Sequence, residues 1–323
     1  TRSAAHQRSV PRVIPLPGGV GGGLLEAAAS VEVRSLAAPA KINLTLEVLA
    51  RRDDGHHALR SVMVPIALAD ELAFAPSDRF AFACEPPSLA ADNLVPRAFA
   101  QVGLGDARVA VTLRKRVPVG AGLGGGSSDA AGVLHAAMRG AFGDAGARDW
   151  VADARALGSD VPFFLADGPA LVEGTGERVT ALGAPPPWWV VLAVPQAHVA
   201  TGPAYAALDA ARAVHPAPTR PRSESATLRC GEALQRADYA AVLATLTNDF
   251  APVVRDAYPA VDAALRALDD AGAPHRAMLS GSGGACFALF SDEASAHAFA
   301  QGLRAPDGAA VHVVPFAASG AWR

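Results

Sequence analysis

Residues 118–132 read PVGAGLGGGSSDAAG, with six glycines in all, before and after a Ser-Ser-Asp step. It follows DARVAVTLRKR (Asp106–Arg116), whose alternation puts Val109, Val111 and Leu113 on one side of a strand. It precedes Ala130, Val133, Leu134, Ala137 and Met138, which recur at helical spacing as far as Gly140. Ser127, Ser128 and Asp129 are helix-start residues, so the spacing predicts a helix opened by a glycine loop. Glycines let successive backbone N–H groups converge on an anion, and a helix N-terminus adds its positive end. A di- or triphosphate is the natural ligand.

Two common phosphate loops are excluded. Gly120, Gly122 and Gly125 satisfy G-x-G-x-x-G, but the next element reads as a second helix, GARDWVADARALG, where a dinucleotide fold needs a parallel strand ending in an acid. Neither lysine of the chain follows a glycine, which removes the Walker loop. A plain glycine linker does not sit between a patterned strand and a capped helix.

Outward from the loop, VEVRSLAAPAKINLTLEVLA (Val31–Ala50) alternates as a strand, with Leu44, Leu46 and Val48 on one face. RRDDGHHALR (Arg51–Arg60) carries Asp-Gly turn chemistry, and SVMVPIALADELAFAP continues as short apolar strands. Residues 1–30 are glycine- and proline-broken and are read as a disordered extension outside the fold. Gly174–Pro187, ending in three prolines before the apolar strand WWVVLAVP, marks a domain boundary: 31–185 and 186–323. HPAPTRPRSESATLR (His215–Arg229) reads as a mobile connection, and MLSGSGGACFALF (Met278–Phe290) as a glycine turn entering a strand. Strands and helices mix without a β-α-β rhythm, so the class is α+β.

Composition narrows the function. The 323 residues are 51% hydrophobic and 18% charged, enough apolar surface for a large core. A net charge of -3 without a basic tract argues against nucleic acid. No apolar run reaches the roughly 18–20 residues of a membrane span. Cys84, Cys230 and Cys286 form no C-x-x-C, which fits a reducing compartment, the cytoplasm by default. Lysine occurs only as Lys41 and Lys115, and asparagine only as Asn43, Asn93 and Asn248. A chain that replaces lysine with arginine elsewhere keeps it where a compact, mobile ammonium is needed.

APAKINLTL (Ala38–Leu46), PVGAGLGGGSSDAA (Pro118–Ala131) and LSGSGGACF (Leu279–Phe287), in this order, resemble the three motifs of the GHMP small-molecule kinases. RRDDGHH, GSDVPFFL (Gly158–Leu165), DNLVPRA and LTNDF make the chain similar, within them, to the 4-diphosphocytidyl-2-C-methyl-D-erythritol kinases. The resemblance implies a two-domain α+β architecture. Its parts are a ribosomal-protein domain-2-like, nucleotide-binding N-terminal domain and a ferredoxin-like C-terminal plait, with the active site in the cleft. It implies ATP-dependent phosphorylation of the substrate's 2-hydroxyl in the non-mevalonate route to isoprenoids, with Mg²⁺ accompanying ATP.

By the same resemblance Asp160 is the catalytic base and Lys41 the cation that holds it ionised, with Asn43 beside them as a substrate-binding residue of the active site. Pro118, Val119, Gly120, Ala121, Gly122, Leu123, Gly124, Gly125, Gly126, Ser127 and Ser128 bind ATP. His57 and Lys115 hold the cytidine part of the substrate, and His56 stands where the family usually has a stacking tyrosine. Ser280, Gly281, Ser282 and Gly283 form a second glycine turn facing the first loop. The sequence assigns no ligands to the metal and leaves the oligomeric state open. The competing readings are another GHMP kinase, acting on homoserine or mevalonate, and a non-catalytic nucleotide sensor of this fold. The first lacks the RRDDGHH and GSDVPFF combination, and the second is expected to lose the lysine or the aspartate.

Overall fold

Even-numbered apolar residues from Leu36 to Val48 give the period of two that makes a strand, and they lie on β1 (Arg34–Arg51). The structure is a computed structural model that describes residues 34–215 and 222–318. The extension expected at 1–30 and residues 216–221 of the expected connection lie outside the described residues. Leu44, Leu46 and Val48 are buried, and so are the odd-numbered Lys41, Asn43 and Thr45, because chain rather than solvent covers that face too.

The next strand corrects the expectation of short pieces. β2 (His57–Pro76) runs for 20 residues antiparallel to β1. Register shifts at Pro39/Ala40, Asn43/Thr45 and Val48/Arg51 let the long ribbon coil instead of breaking. The remaining strands are β3 (Ala81–Glu85), β4 (Val109–Arg114), β5 (Ala170–Gly174), β6 (Arg178–Ala181), β7 (Trp189–Val194), β8 (Thr247–Asn248), β9 (Met278–Leu279), β10 (Cys286–Phe290) and β11 (Ala310–Pro315).

The first sheet has the order β3-β4-β2-β1-β8, and β5 and β6 extend it from the early half of β2. The second is wholly antiparallel, ordered β11-β7-β10-β9. β8 lies late in the chain yet pairs parallel with β1 at Thr45 and Leu46, so the later half contributes to the first sheet.

Helices α1 (Leu94–Gln101), α2 (Gly125–Met138), α3 (Trp150–Leu157) and α4 (Val161–Leu165) pack on the first sheet around Phe99, Leu134, Phe163 and Phe164. Each such fully buried side chain contributes roughly 1.5–3 kcal/mol over exposure. α5 (Thr201–Val214) packs with the second sheet. α6 (Ala226–Gln235) and α7 (Tyr239–Leu243) share a core with the inner faces of both sheets. α8 (Ala251–Ala257), α9 (Pro259–Asp270) and α10 (Glu293–Gly302) complete the other face of the second sheet.

Two local expectations change. α2 begins at Gly125, two residues before Ser127, because Gly124 at φ +72° turns the chain and no side-chain cap is made. Ser128 and Asp129, at the end of the first turn and the start of the second, are therefore buried. In the expected mobile connection, α6 already starts at Ala226, where the Ser225 hydroxyl accepts from the Leu228 amide.

Candidate active site

Lys41 and Asn43 stand two residues apart on β1 and so share a face. The Lys41 ammonium, 3% exposed, donates to Asn43 Oδ1 at 2.7 Å and lies 3.6 Å from Asp160 Oδ2. The orientation of the Asn43 amide is fixed from behind. Its Nδ2 donates to Ser61 Oγ at 2.8 Å, and Ser61 in turn donates to the Thr45 carbonyl at 2.6 Å. Burial lowers the pKa of Lys41, and the charge of Asp160 opposes that shift. Asp160 is 31% exposed, so its carboxylate meets the ammonium on one side and open cavity on the other. It precedes α4, whose Val161, Phe163 and Phe164 are buried and anchor it.

The glycine loop docks on the free edge of β1: the Lys41 amide donates to the Leu123 carbonyl at 2.9 Å. Behind it sits the second turn, and the two are packed without room for a side chain. Gly122 has φ +79°, and a Cβ there would collide with the Ser280 carbonyl oxygen. Ser280 Oγ donates to the Gly122 carbonyl at 3.1 Å, and the Ala285 amide to Ala121 at 2.9 Å. Asn248, on β8, donates from Nδ2 to the carbonyls of Leu279 (2.7 Å) and Gly281 (2.9 Å).

Two cavities meet here. One, of about 590 Å³, is lined by Lys41, Asn43, His56, His57 and Asp160, with Gly281 and Ser282 of the second turn. The other, of about 390 Å³, is lined by Pro118 through Ser127, with Asn93, Leu94, Lys115 and Asp129. Gly122 lines both.

Two expected placements are corrected. Lys115 is not brought to His56 and His57: it lines the glycine-loop cavity, its ammonium held between Asp70 and Asp129. The reason is that Asp70, fully buried, also accepts the amides of Arg116 and Val117 and fixes this end of the loop. Burial would lower Lys115, but the charges of Asp129 and Asp70 outweigh it and raise its pKa. Asp129 is pushed up to about 7, chiefly by burial. Ser128 does not line the cavity either, because the early start of α2 turns it inward, where its hydroxyl has no hydrogen-bond partner among the described residues. Ser280 and Gly283 belong to the second turn, where the Gly283 amide donates to the Ser280 carbonyl, but line neither of these two cavities.

His57 is mostly buried and stacks on Tyr205, with ring centroids 5.2 Å apart and planes at 18°. His56 is exposed at the rim. Asp70, Asp129, Thr201, Tyr205 and Asp209 carried no signal by themselves; Thr201, Tyr205 and Asp209 were findable as an i, i+4, i+8 face of one helix.

Chemically, the arrangement joins a glycine-amide cradle to a larger cavity, with an ammonium–carboxylate pair where they meet. Residues 91–168 match the family GHMP kinases N terminal domain and residues 232–307 GHMP kinases C terminal. The chain is 42% identical over 260 residues to a 4-diphosphocytidyl-2-C-methyl-D-erythritol kinase of Symbiobacterium thermophilum, covering 78% of this chain and 89% of the relative. It is 40% identical over 292 residues to the kinase of that name from Salinibacter ruber, covering 86% and 97%. A crystal structure of 4-(cytidine 5'-diphospho)-2C-methyl-D-erythritol kinase superposes with a TM-score of 0.69 at 34% identity, over 88% of this chain and 100% of the other.

Proposed function

The chain belongs to the 4-diphosphocytidyl-2-C-methyl-D-erythritol kinase family of the GHMP kinases, and from that premise we propose how its geometry performs the reaction. It is an ATP-dependent small-molecule kinase. It phosphorylates the 2-hydroxyl of 4-diphosphocytidyl-2-C-methyl-D-erythritol, giving the 2-phosphate and ADP in the non-mevalonate route to isopentenyl diphosphate.

One observation carries the residue roles: the two cavities share Gly122, beside the Lys41–Asp160 pair. ATP takes the smaller cavity, its phosphates on the glycine-loop amides and the N-terminus of α2, its nucleoside toward Asn93, Leu94 and Lys115. The cytidylated alcohol takes the larger one, its base near His57 and Tyr205. The γ-phosphoryl and the acceptor hydroxyl then meet at Gly122. Asp160 accepts the hydroxyl proton, a role contributing roughly 10²–10⁴-fold. Lys41 keeps Asp160 ionised and neutralises charge developing on the transferring group. Asn43 and Ser61 fix the direction of the Lys41 ammonium.

Mg²⁺ fits the residues present. Ser127 and Asp129 line the glycine-loop cavity, and among the described residues Asp129 Oδ1 has no hydrogen-bond partner, so both would stand near an ion held mainly by phosphate oxygens and waters. When bound it supplies charge neutralisation on the phosphates. Residues 31–185 form the ATP-binding part and 186–323 the C-terminal part, which returns the Ser280–Gly283 turn to the cleft. Among the described residues no helix is long and apolar enough to cross a membrane, and the proposed setting is the cytoplasm.

The test is ADP release with the cytidylated substrate, homoserine and mevalonate in parallel. Turnover with the first alone is expected. Turnover with either of the others and none with the first overturns the assignment.

A further inference from the structure

The larger cavity has one wall, α5, of which the proposed chemistry uses only Tyr205. α5 presents Thr201, Tyr205 and Asp209 at intervals of four, so all three face the cavity from one side of the helix. The helix is tethered near its C-terminal end: Arg212 Nη2 donates to Asp249 Oδ2 at 2.7 Å, and the same oxygen accepts the Val48 amide of β1 at 2.9 Å. Asp209 thus meets His57, the first residue of β2, from a fixed position.

The contact is unusual in form. Both carboxylate oxygens of Asp209 stand 3.1 Å from His57 Nε2. An ionised carboxylate can only accept, so Nε2 must carry a hydrogen. Nδ1 lies 3.4 Å from the Leu49 carbonyl, longer than a typical hydrogen bond. One ring face is taken by Tyr205. Left with Tyr205 and Leu49 alone, the imidazole could exchange tautomers or flip about its Cβ–Cγ axis. Asp209 removes that freedom.

We propose that Asp209 is a positioning residue that locks His57 as its Nε2–H form in one ring orientation, so that a fixed edge of the His57–Tyr205 stack meets the pyrimidine base of the substrate. The base as ligand rests on the function proposed above; the lock on His57 does not. Asp209 touches neither reacting atom nor phosphate cradle, so its effect falls on substrate recognition. A disordered imidazole must be ordered at binding, which weakens affinity without slowing phosphoryl transfer.

Two measurements test it. In Asp209→Ala, KM for the cytidylated substrate is expected to rise roughly ten-fold, the order of one charge-assisted hydrogen bond, with kcat and KM for ATP within about two-fold. Asp209→Asn keeps one acceptor oxygen and recovers most of the loss. In a His57→Ala background Asp209→Ala adds nothing further; an undiminished effect there means that Asp209 contacts the base directly and overturns the positioning role. The second readout is the ¹⁵N tautomer of His57 in the substrate-free enzyme: hydrogen on Nε2 in the parent chain, a mixture in Asp209→Ala. Hydrogen on Nδ1 alone in the parent chain overturns the proposal. This measurement stands even if the enzyme turns over no cytidylated substrate, which separates failure of the lock from failure of the assigned function. Asp209 is 43% exposed, and unchanged thermal unfolding of the Asn variant guards against a folding artefact.

Discussion

Lys41 illustrates how a single buried charge is made useful. Its ammonium has one carboxylate and one amide oxygen within reach, and its stem passes between Gly124 and the second glycine turn. In Lys41→Arg the charge survives but the planar fork does not fit a slot shaped for a point donor. We expect kcat to fall by roughly 10²-fold or more, with ATP binding by calorimetry retained. Asp160→Asn is isosteric and should lose on the order of 10²–10⁴-fold in kcat while its melting temperature stays near that of the parent chain; near-normal turnover in either variant removes these residues from the chemistry. Lys41 and Asn43 were legible, because a strand's period of two places them on one face and lysine and asparagine are each scarce in the chain; Asp160 was assigned only through the family resemblance. Lys115 was equally conspicuous yet misplaced. Its partners Asp70 and Asp129 come from β2 and α2, and no local pattern says which of two adjoining cavities a buried lysine will line.

At the scale of elements, the site is an assembly of two glycine turns on one strand edge, and its weak point is the contact between them. Gly122→Ala needs a methyl where the Ser280 carbonyl stands, at a positive φ that alanine disfavours. We expect at least about 2 kcal/mol of destabilisation and loss of ATP binding, read by thermal unfolding and calorimetry on one preparation. Asn248→Ala acts from the other side. It strips the donor from two buried carbonyls, Leu279 and Gly281, and should cost about 2–3 kcal/mol in a denaturant titration. Where an element had its own signal, it was readable: β1 and β4 by alternation, β7 and β10 as apolar runs between turns. β2 was read as fragments because Pro65 and Asp70-Glu71 interrupt its pattern, whereas tertiary partners on both edges hold it together. β8 is two residues long and exists because β1 offers an edge there; nothing in Thr247-Asn248 alone could announce it.

Across the whole molecule, the segment leading into α6 is joined to the first sheet by charge. Arg60 on β2 lies between Glu47 of β1 and Glu173 of β5, and Arg222 pairs with Glu173 from beyond. Glu47 also accepts from the Ser225 hydroxyl at 2.6 Å and the Ala226 amide at 2.9 Å, so the network ends at the N-terminus of α6. The hydrogen bond from Arg222, then that from Arg60, hold the Glu173 carboxyl down at about 2 against the opposing effect of burial. The sign follows from linkage. An unfolded glutamate titrates near 4.3, so the folded state binds fewer protons between that pH and about 2. Stability from Glu173 is complete above the unfolded value and disappears as pH falls through the folded one. Arg222 is 59% exposed, so solvent screens part of the interaction. The remaining contribution is on the order of 2 kcal/mol. Unfolding free energies of the parent chain and of Glu173→Gln should therefore differ by a constant amount from pH 7 to about 5, converge toward pH 2, and differ less in high salt. A difference that is the same at pH 7 and pH 3 means the network holds the segment by shape rather than charge. The comparison bears on the active site, because β2 begins at His57 and carries Arg60 one residue beyond Leu59, a lining residue of the larger cavity. Acidification that loosens this network should also loosen the wall proposed to recognise the substrate's base.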